Sequence, residues 1–168
     1  MKKALCAVMA LTLALLFCAC GMGKVYEAAA KDFSVEGMTI TLTRRFSEES
    51  VEGYTACYDS KDAAVFLLKE DFSMLAGLED YTLAQYAEAV RKQNEQRSPE
   101  QVTEKEGLLT FEYEFYDEER SVIYHYLAVV YKASDAFWLV QFASPASLYE
   151  EYEPYFLTWA KSVTFTAD

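Results

Sequence analysis

The sequence predicts an α+β domain in which an antiparallel β-sheet is flanked by helices. Several short runs alternate apolar and polar residues with period two, two longer segments place apolar residues at helical spacing, and short polar turns separate consecutive strands. Strands joined by short turns pair antiparallel. The order strands, helix, strands, helix keeps the helices apart from the sheet, as in α+β domains.

The first block of strands precedes residue 70. Its predicted strands are residues 33–35, 38–43, 54–58 and 63–69. Glu36-Gly37 is typical of a tight hairpin turn, and Met38, Ile40 and Leu42 alternate with threonines. The run 63–69 is apolar on both faces, which predicts a central strand. Residues 44–51 are charged and are predicted as a loop or a short helix.

An acidic, irregular connection, residues 70–80, leads into the first helix. Thr82 and Gln85 form a capping box, in which the hydroxyl accepts from the third amide and the Gln reaches back. The helix is predicted to run to about Asn94. Ser147 and Glu150 are predicted as a second capping box, and Pro154 is expected to kink or restart that helix.

The second block of strands lies between the two helices. Its predicted strands are residues 101–105, 108–116, 121–132 and 137–143, and residues 163–165 add a last short strand. Gly107, the acidic run 117–119 with Arg120, and Ser134-Asp135 provide the turns between them.

The N-terminus has the pattern of a bacterial lipoprotein signal peptide. Lys2 and Lys3 precede an apolar stretch, residues 4–17, and the small residue Ala19 stands before Cys20. The stretch is short for a spanning helix, which needs about 20 residues. Cys18 is a less suitable lipidation site because bulky Phe17 precedes it. An ordinary cleaved signal and an uncleaved anchor are the alternatives.

Lipidation of Cys20 would hold the chain on the extracytoplasmic face of the cell membrane. Two acyl chains give stable anchoring, because each buried methylene contributes about 0.8 kcal/mol. The predicted organisation is a signal peptide at 1–19, a lipidated cysteine and tether at 20–31, and a single globular domain at 32–168.

Composition limits the partners. Without residues 1–19 the chain has 149 residues, 13 basic and 27 acidic, a net charge of −14. Nucleic acid is not an expected partner, since its binding requires Lys and Arg at the phosphates. The expected partners are the membrane, through the lipid at Cys20, and a protein at the cell surface. Cys57 would be the one cysteine left besides Cys20, and its strand-like setting predicts a buried thiol.

His125, Glu112 and Glu114 are the candidate binding residues. His125 is the single histidine, so no histidine cluster for a metal is predicted, and no nucleophile motif accompanies it. A structural histidine is the favoured interpretation. Glu112 and Glu114 alternate with aromatic residues, which predicts a solvent-exposed strand face, with cation binding as the alternative. No catalytic residue, metal or cofactor is expected.

Several segments resemble the PsbP-like fold, which the Mog, PsbP and DcrB-like proteins share. The segments are 37–42, 53–58, 81–87, 134–142 and 159–163. The likeness is greatest to small Firmicutes-type lipoproteins of uncharacterised role. The resemblance implies an α/β/α sandwich over most of residues 32–166, and it implies no site residues, since this fold carries unrelated functions.

The predicted function is that of a membrane-anchored, non-enzymatic binding or accessory module. The alternative is a small-ligand binder for a sugar, a peptide or a metal that uses an aromatic-lined cleft between sheet and helix. A hydrolase is disfavoured because one histidine and no nucleophile motif are present.

Overall fold

The structure is a computed structural model that describes residues 23–74 and 76–166. The predicted signal peptide and Cys20 lie outside the described residues. The strands before the first helix are β1 (Ala30–Val35), β2 (Met38–Thr43), β3 (Ser47–Glu49), β4 (Ala56–Asp59) and β5 (Ala64–Asp71). The later elements are α1 (Leu83–Gln93), β6 (Thr103–Lys105), β7 (Leu108–Asp117), β8 (Val122–Lys132), β9 (Ala136–Pro145), α2 (Tyr149–Lys161) and β10 (Thr164–Phe165).

The strands form two antiparallel sheets. The larger has seven strands in the order β3-β4-β5-β9-β8-β7-β6, and the smaller has the order β1-β2-β10. The predicted α+β class is confirmed. The smaller sheet was not anticipated, because pairing β10 with β2 depends on α2 carrying the chain back to the N-terminal hairpin.

Two hydrophobic layers cover the two faces of the larger sheet. On one face α2 and the smaller sheet pack through Tyr152, Phe156 and Met38, all 0% exposed. On the other face α1 packs through Tyr86 and Ala87. Successive strand residues point to opposite faces, so β5, β8 and β9 contribute apolar side chains to both layers, as the apolar run 63–69 predicted.

The N-terminal hairpin follows its sequence closely. Glu36 and Gly37 have φ of 45° and 83°, the left-handed pair that a tight hairpin turn needs. Met38, Ile40 and Leu42 are buried, as their alternation predicted. The predicted loop or short helix over residues 44–51 is wrong in part, because β3 forms there. All three β3 side chains are exposed, so no burial pattern marks this strand.

The helix ends show one correct and one incorrect prediction. The Thr82 hydroxyl accepts from the Gln85 amide at 3.2 Å, and the Gln85 side chain accepts from the Thr82 amide at 2.8 Å, which confirms the first capping box. The second capping box does not form. Ser147 lies inside a 3-10 turn that leads directly into α2, so it is not at the N-cap position.

The helix α2 runs through Pro154 without a restart. A proline in a helix removes the hydrogen bond from its own nitrogen to the carbonyl four residues earlier. In α2 this carbonyl belongs to Glu150, in the first turn of the helix. Buried Tyr152, Phe156 and Trp159 hold the helix against the sheet on both sides of the proline.

The described part of the predicted tether packs against the domain. Val25, in a 3-10 turn at Val25–Glu27, is 1% exposed. The Tyr26 ring stacks on Tyr155 of α2 with centroids 3.9 Å apart. Within the described ranges, no helix is long and apolar enough to cross a membrane.

Candidate functional site

The three candidate binding residues meet at the edge of the larger sheet, beneath the start of α2. Strand pairing places Glu114 opposite His125, and Glu112 is two residues away on the same face. The Tyr149 ring, at the first position of α2, stacks on the imidazole with centroids 3.6 Å apart and an interplanar angle of 22°. We name the group that surrounds this contact the His125 cluster, which consists of Lys105, Glu112, Glu114, His125, Tyr149 and Glu153.

Ionic contacts link these side chains. The His125 Nε2 lies 2.8 Å from Glu112 Oε2, and its Nδ1 lies 3.5 Å from Glu114 Oε1. The Lys105 ammonium donates to the Glu112 carboxylate and, at 2.5 Å, to Glu153 of α2. The cluster therefore joins β6, β7, β8 and α2.

The charges in the cluster stabilise one another. Burial raises the pKa of Glu112, but hydrogen bonds from His125 and Lys105 oppose it and leave this pKa lowered to about 2. Burial lowers the pKa of Lys105, but its two carboxylate partners raise it above the ordinary value. Burial, followed by the charge of Glu112, raises the pKa of the Tyr149 hydroxyl far above its usual range.

This geometry fits a structural network better than a reactive one. Both nitrogens of His125 face carboxylates, and Tyr149 covers one face of the ring. Over residues 23–74 and 76–166, no three His, Cys, Asp or Glu side chains are grouped so that they could hold a metal ion.

The expected solvent-exposed face of β7 is correct for Glu114 and wrong for Glu112. The Glu114 side chain is 58% exposed, whereas that of Glu112 is 12% exposed because the start of α2 lies over it. Sequence reasoning missed Lys105, Tyr149 and Glu153. The turn between β7 and β8 could have placed Glu114 opposite His125, but no local signal places α2 above them.

Cys57 lies on the opposite face, the α1 side, as a buried thiol. It is 1% exposed. Burial, with smaller contributions from the charges of Asp59 and Glu49, raises its pKa to about 12, so the thiolate form is scarce at neutral pH. Asp59, two residues after Cys57 in β4, faces the same side of the sheet. Burial is the main cause that raises the pKa of its carboxyl to about 7.

The aromatic side chains on the α1 side pack as core. Tyr113 and Tyr126 are 4% and 6% exposed, with rings stacked at 4.7 Å. The Tyr113 hydroxyl donates to Gln141 Oε1 at 2.6 Å. Tyr54 packs on Phe66 at 5.1 Å. Tyr113 and Tyr126 are therefore core residues and do not line an open cleft.

A small crevice lies at the opposite end of the sheet from the β7–β8 turn. It is lined by Glu36, Gly37, Ala133, Ser134, Asp135, Trp138, Phe165 and Thr166. Its volume of about 40 Å³ has room for water but is far below the roughly 300–1,000 Å³ of a typical small-molecule pocket. A sugar or a peptide does not fit in this volume.

Together, the seven-stranded antiparallel sheet and its two covering layers define a PsbP-like α+β fold. The solution structure of the cyanobacterial PsbP protein, CyanoP, from Synechocystis sp. PCC 6803 is similar with a TM-score of 0.57 and 14% identity. The alignment covers 88% of this chain and 98% of that one. At this identity the similarity shows the fold alone.

Two other solved structures are similar at a lower level. A protein from Bacteroides thetaiotaomicron has a TM-score of 0.48 and 11% identity, over 79% of this chain and 46% of that one. A protein of unknown function from Pseudomonas aeruginosa has a TM-score of 0.43 and 9% identity, over 84% of this chain and 100% of that one. No family model matches the chain, and no curated protein sequence matches it significantly.

Proposed function

We propose that the chain is an extracytoplasmic lipoprotein, anchored to the cell membrane through Cys20, that acts as a non-enzymatic binding or accessory module. The observation that carries the proposal is the N-terminal pattern: a basic start, an apolar stretch and Ala19-Cys20. The folded domain begins a few residues later, with Val25 already in its core.

The described domain supports a binding role over a catalytic one. The groups of the His125 cluster are bonded to one another, and burial keeps the Cys57 thiol protonated. The crevice beside Ser134 and Asp135 is too small for a sugar or a peptide. This crevice therefore gives no support to the small-ligand alternative, and a protein partner at the cell surface is the binding role proposed here.

Metabolic labelling with an acyl probe tests the anchor. We expect the probe on the wild-type chain and on the matched control Cys18→Ser, and we expect it to be lost in Cys20→Ser, which removes the thiol that carries the lipid. Label retained in Cys20→Ser would refute the anchor.

Cross-linking in intact cells tests the binding role. The lipidated protein is expected to yield a reproducible adduct with one surface protein. A thermal-shift screen with sugars, peptides and divalent metals is expected to show no stabilisation, because ligand binding to the native state would raise Tm. Stabilisation by one of them would favour the small-ligand alternative instead.

A further inference from the structure

We propose that the surface where the chain enters the domain contacts the anionic phospholipid headgroups of the anchoring membrane. The surface consists of Lys31, Arg44 and Arg45 and is called the entry patch. The inference rests on the proposed function, because it takes lipidation of Cys20 as given. It adds an orientation for the domain and a second contact with the bilayer.

The short connection to Cys20 limits which side of the domain can reach the bilayer. One residue spans at most about 3.6 Å, so Gly23 lies within about 11 Å of Cys20 and Val25 within about 18 Å. Both are fixed to the domain: the Gly23 carbonyl accepts from Arg45 Nη1 at 2.6 Å, and Val25 is buried. A domain of this length is about 40 Å across, so the entry side must face the bilayer.

Backbone contacts bring the three cations of the entry patch to this point. The Arg44 amide donates to the Ala29 carbonyl at 2.8 Å. Lys31 follows two residues later, and its ammonium lies 4.2 Å from the centroid of the Phe33 ring. Lys31, Arg44 and Arg45 are all exposed.

The entry side has a charge opposite to that of the remaining domain. Residues 23–32 and 43–46, together with Glu151, which contacts Lys24 and Tyr26, carry four Lys or Arg and three Asp or Glu, whereas the other described residues carry nine and twenty-three. Lys24 is only half-exposed and pairs with Glu151 at 3.0 Å, so the entry patch is restricted to the three exposed cations. A basic residue close to an anionic membrane favours contact by about fivefold, whereas the acidic remainder is repelled.

Fluorescence quenching on lipid vesicles tests this orientation. The full chain is expressed in bacteria, extracted from membranes and reconstituted into phosphatidylcholine vesicles with or without phosphatidylglycerol, each containing a nitroxide-headgroup lipid. A thiol fluorophore is placed by Ala29→Cys beside the entry patch, or by Lys92→Cys on α1, on the opposite face of the sheet. Cys57 does not compete for the reagent because it is buried with a raised pKa.

Strong quenching is expected at residue 29 and little at residue 92 on the anionic vesicles. Neutralising Lys31 and Arg44 to Gln should reduce the ratio of quenched to unquenched protein by about fivefold for each charge, whereas the control Lys92→Gln should leave this ratio unchanged. Equal quenching at the two labels would overturn the inference. The inference would also be overturned if quenching at residue 29 changed neither with phosphatidylglycerol nor with the double substitution. Intact mass of the same sample separates the two proposals: Cys20 without acyl chains refutes the anchor, whereas acylated protein with equal quenching refutes the entry patch alone.

Discussion

Replacing Glu112 with Gln should destabilise the domain by about 3 kcal/mol at pH 7. The native environment, with hydrogen bonds from His125 and Lys105, lowers the Glu112 pKa from 4.5 to about 2. A shift of one pKa unit corresponds to about 1.4 kcal/mol. Because the folded-state pKa is lower than the unfolded one, this stability is present above about pH 5 and is lost as the pH falls towards 2. The difference between wild type and Glu112→Gln should shrink over the same range.

Urea unfolding followed by the fluorescence of Trp138 and Trp159, which are 1% and 6% exposed, measures this difference. The matched control is Glu114→Gln, a change in the same strand next to the same histidine. The Glu114 side chain is 58% exposed, so its loss should cost less than about 0.5 kcal/mol. Equal effects of the two substitutions, or a Glu112→Gln effect that does not change with pH, would refute the proposed network.

Three further predictions concern the backbone and the buried groups of the α1 face. In thermal unfolding, Gly37→Ala should destabilise the domain more than Gly107→Ala. Both residues have φ near +85°, and an L-residue in this left-handed conformation costs about 1 kcal/mol. At residue 37 the added Cβ would also lie 3.0 Å from Thr166 Oγ1. Equal losses would show that Thr166 moves aside freely. Cys57 should react with a thiol reagent only after urea denaturation, because burial raises its pKa to about 12; rapid reaction of the native protein would contradict this burial. Asp59→Asn should stabilise the domain at pH 8, because burial raises the folded-state pKa of Asp59 to about 7 and its ionisation is therefore costly in the native state. In urea titrations this stabilisation should disappear below about pH 4, where the carboxyl is protonated in both states. A destabilised variant at pH 8 would show that the carboxylate is favourably bound.

Local patterns predicted the parts of the fold that depend on neighbouring residues. The β1–β2 turn needs left-handed backbone at Glu36 and Gly37, and the sequence places a glycine there. Thr82 and Gln85 form their capping box because both partners lie within one helical turn. In each case the interaction that decides the structure spans only a few residues.

Long-range contacts decided the features that the sequence did not predict. Ser47–Glu49 pairs with β4, but its side chains are exposed and show no alternation. Glu112 has the strand pattern of a solvent-exposed residue, and only the placement of α2 buries it. Tyr149 meets His125 through the same placement. The sequence therefore identified the members of the cluster on β7 and β8 and missed those on β6 and α2.

Mass spectrometry of the mature N-terminus tests the central proposal most directly. The proposal predicts a first residue at Cys20, without residues 1–19, with a mass increase that corresponds to acyl chains on that cysteine. It also predicts unmodified Cys57, because this thiol is buried. A chain that begins at Met1, or one that carries an unmodified Cys20, would contradict the lipoprotein assignment.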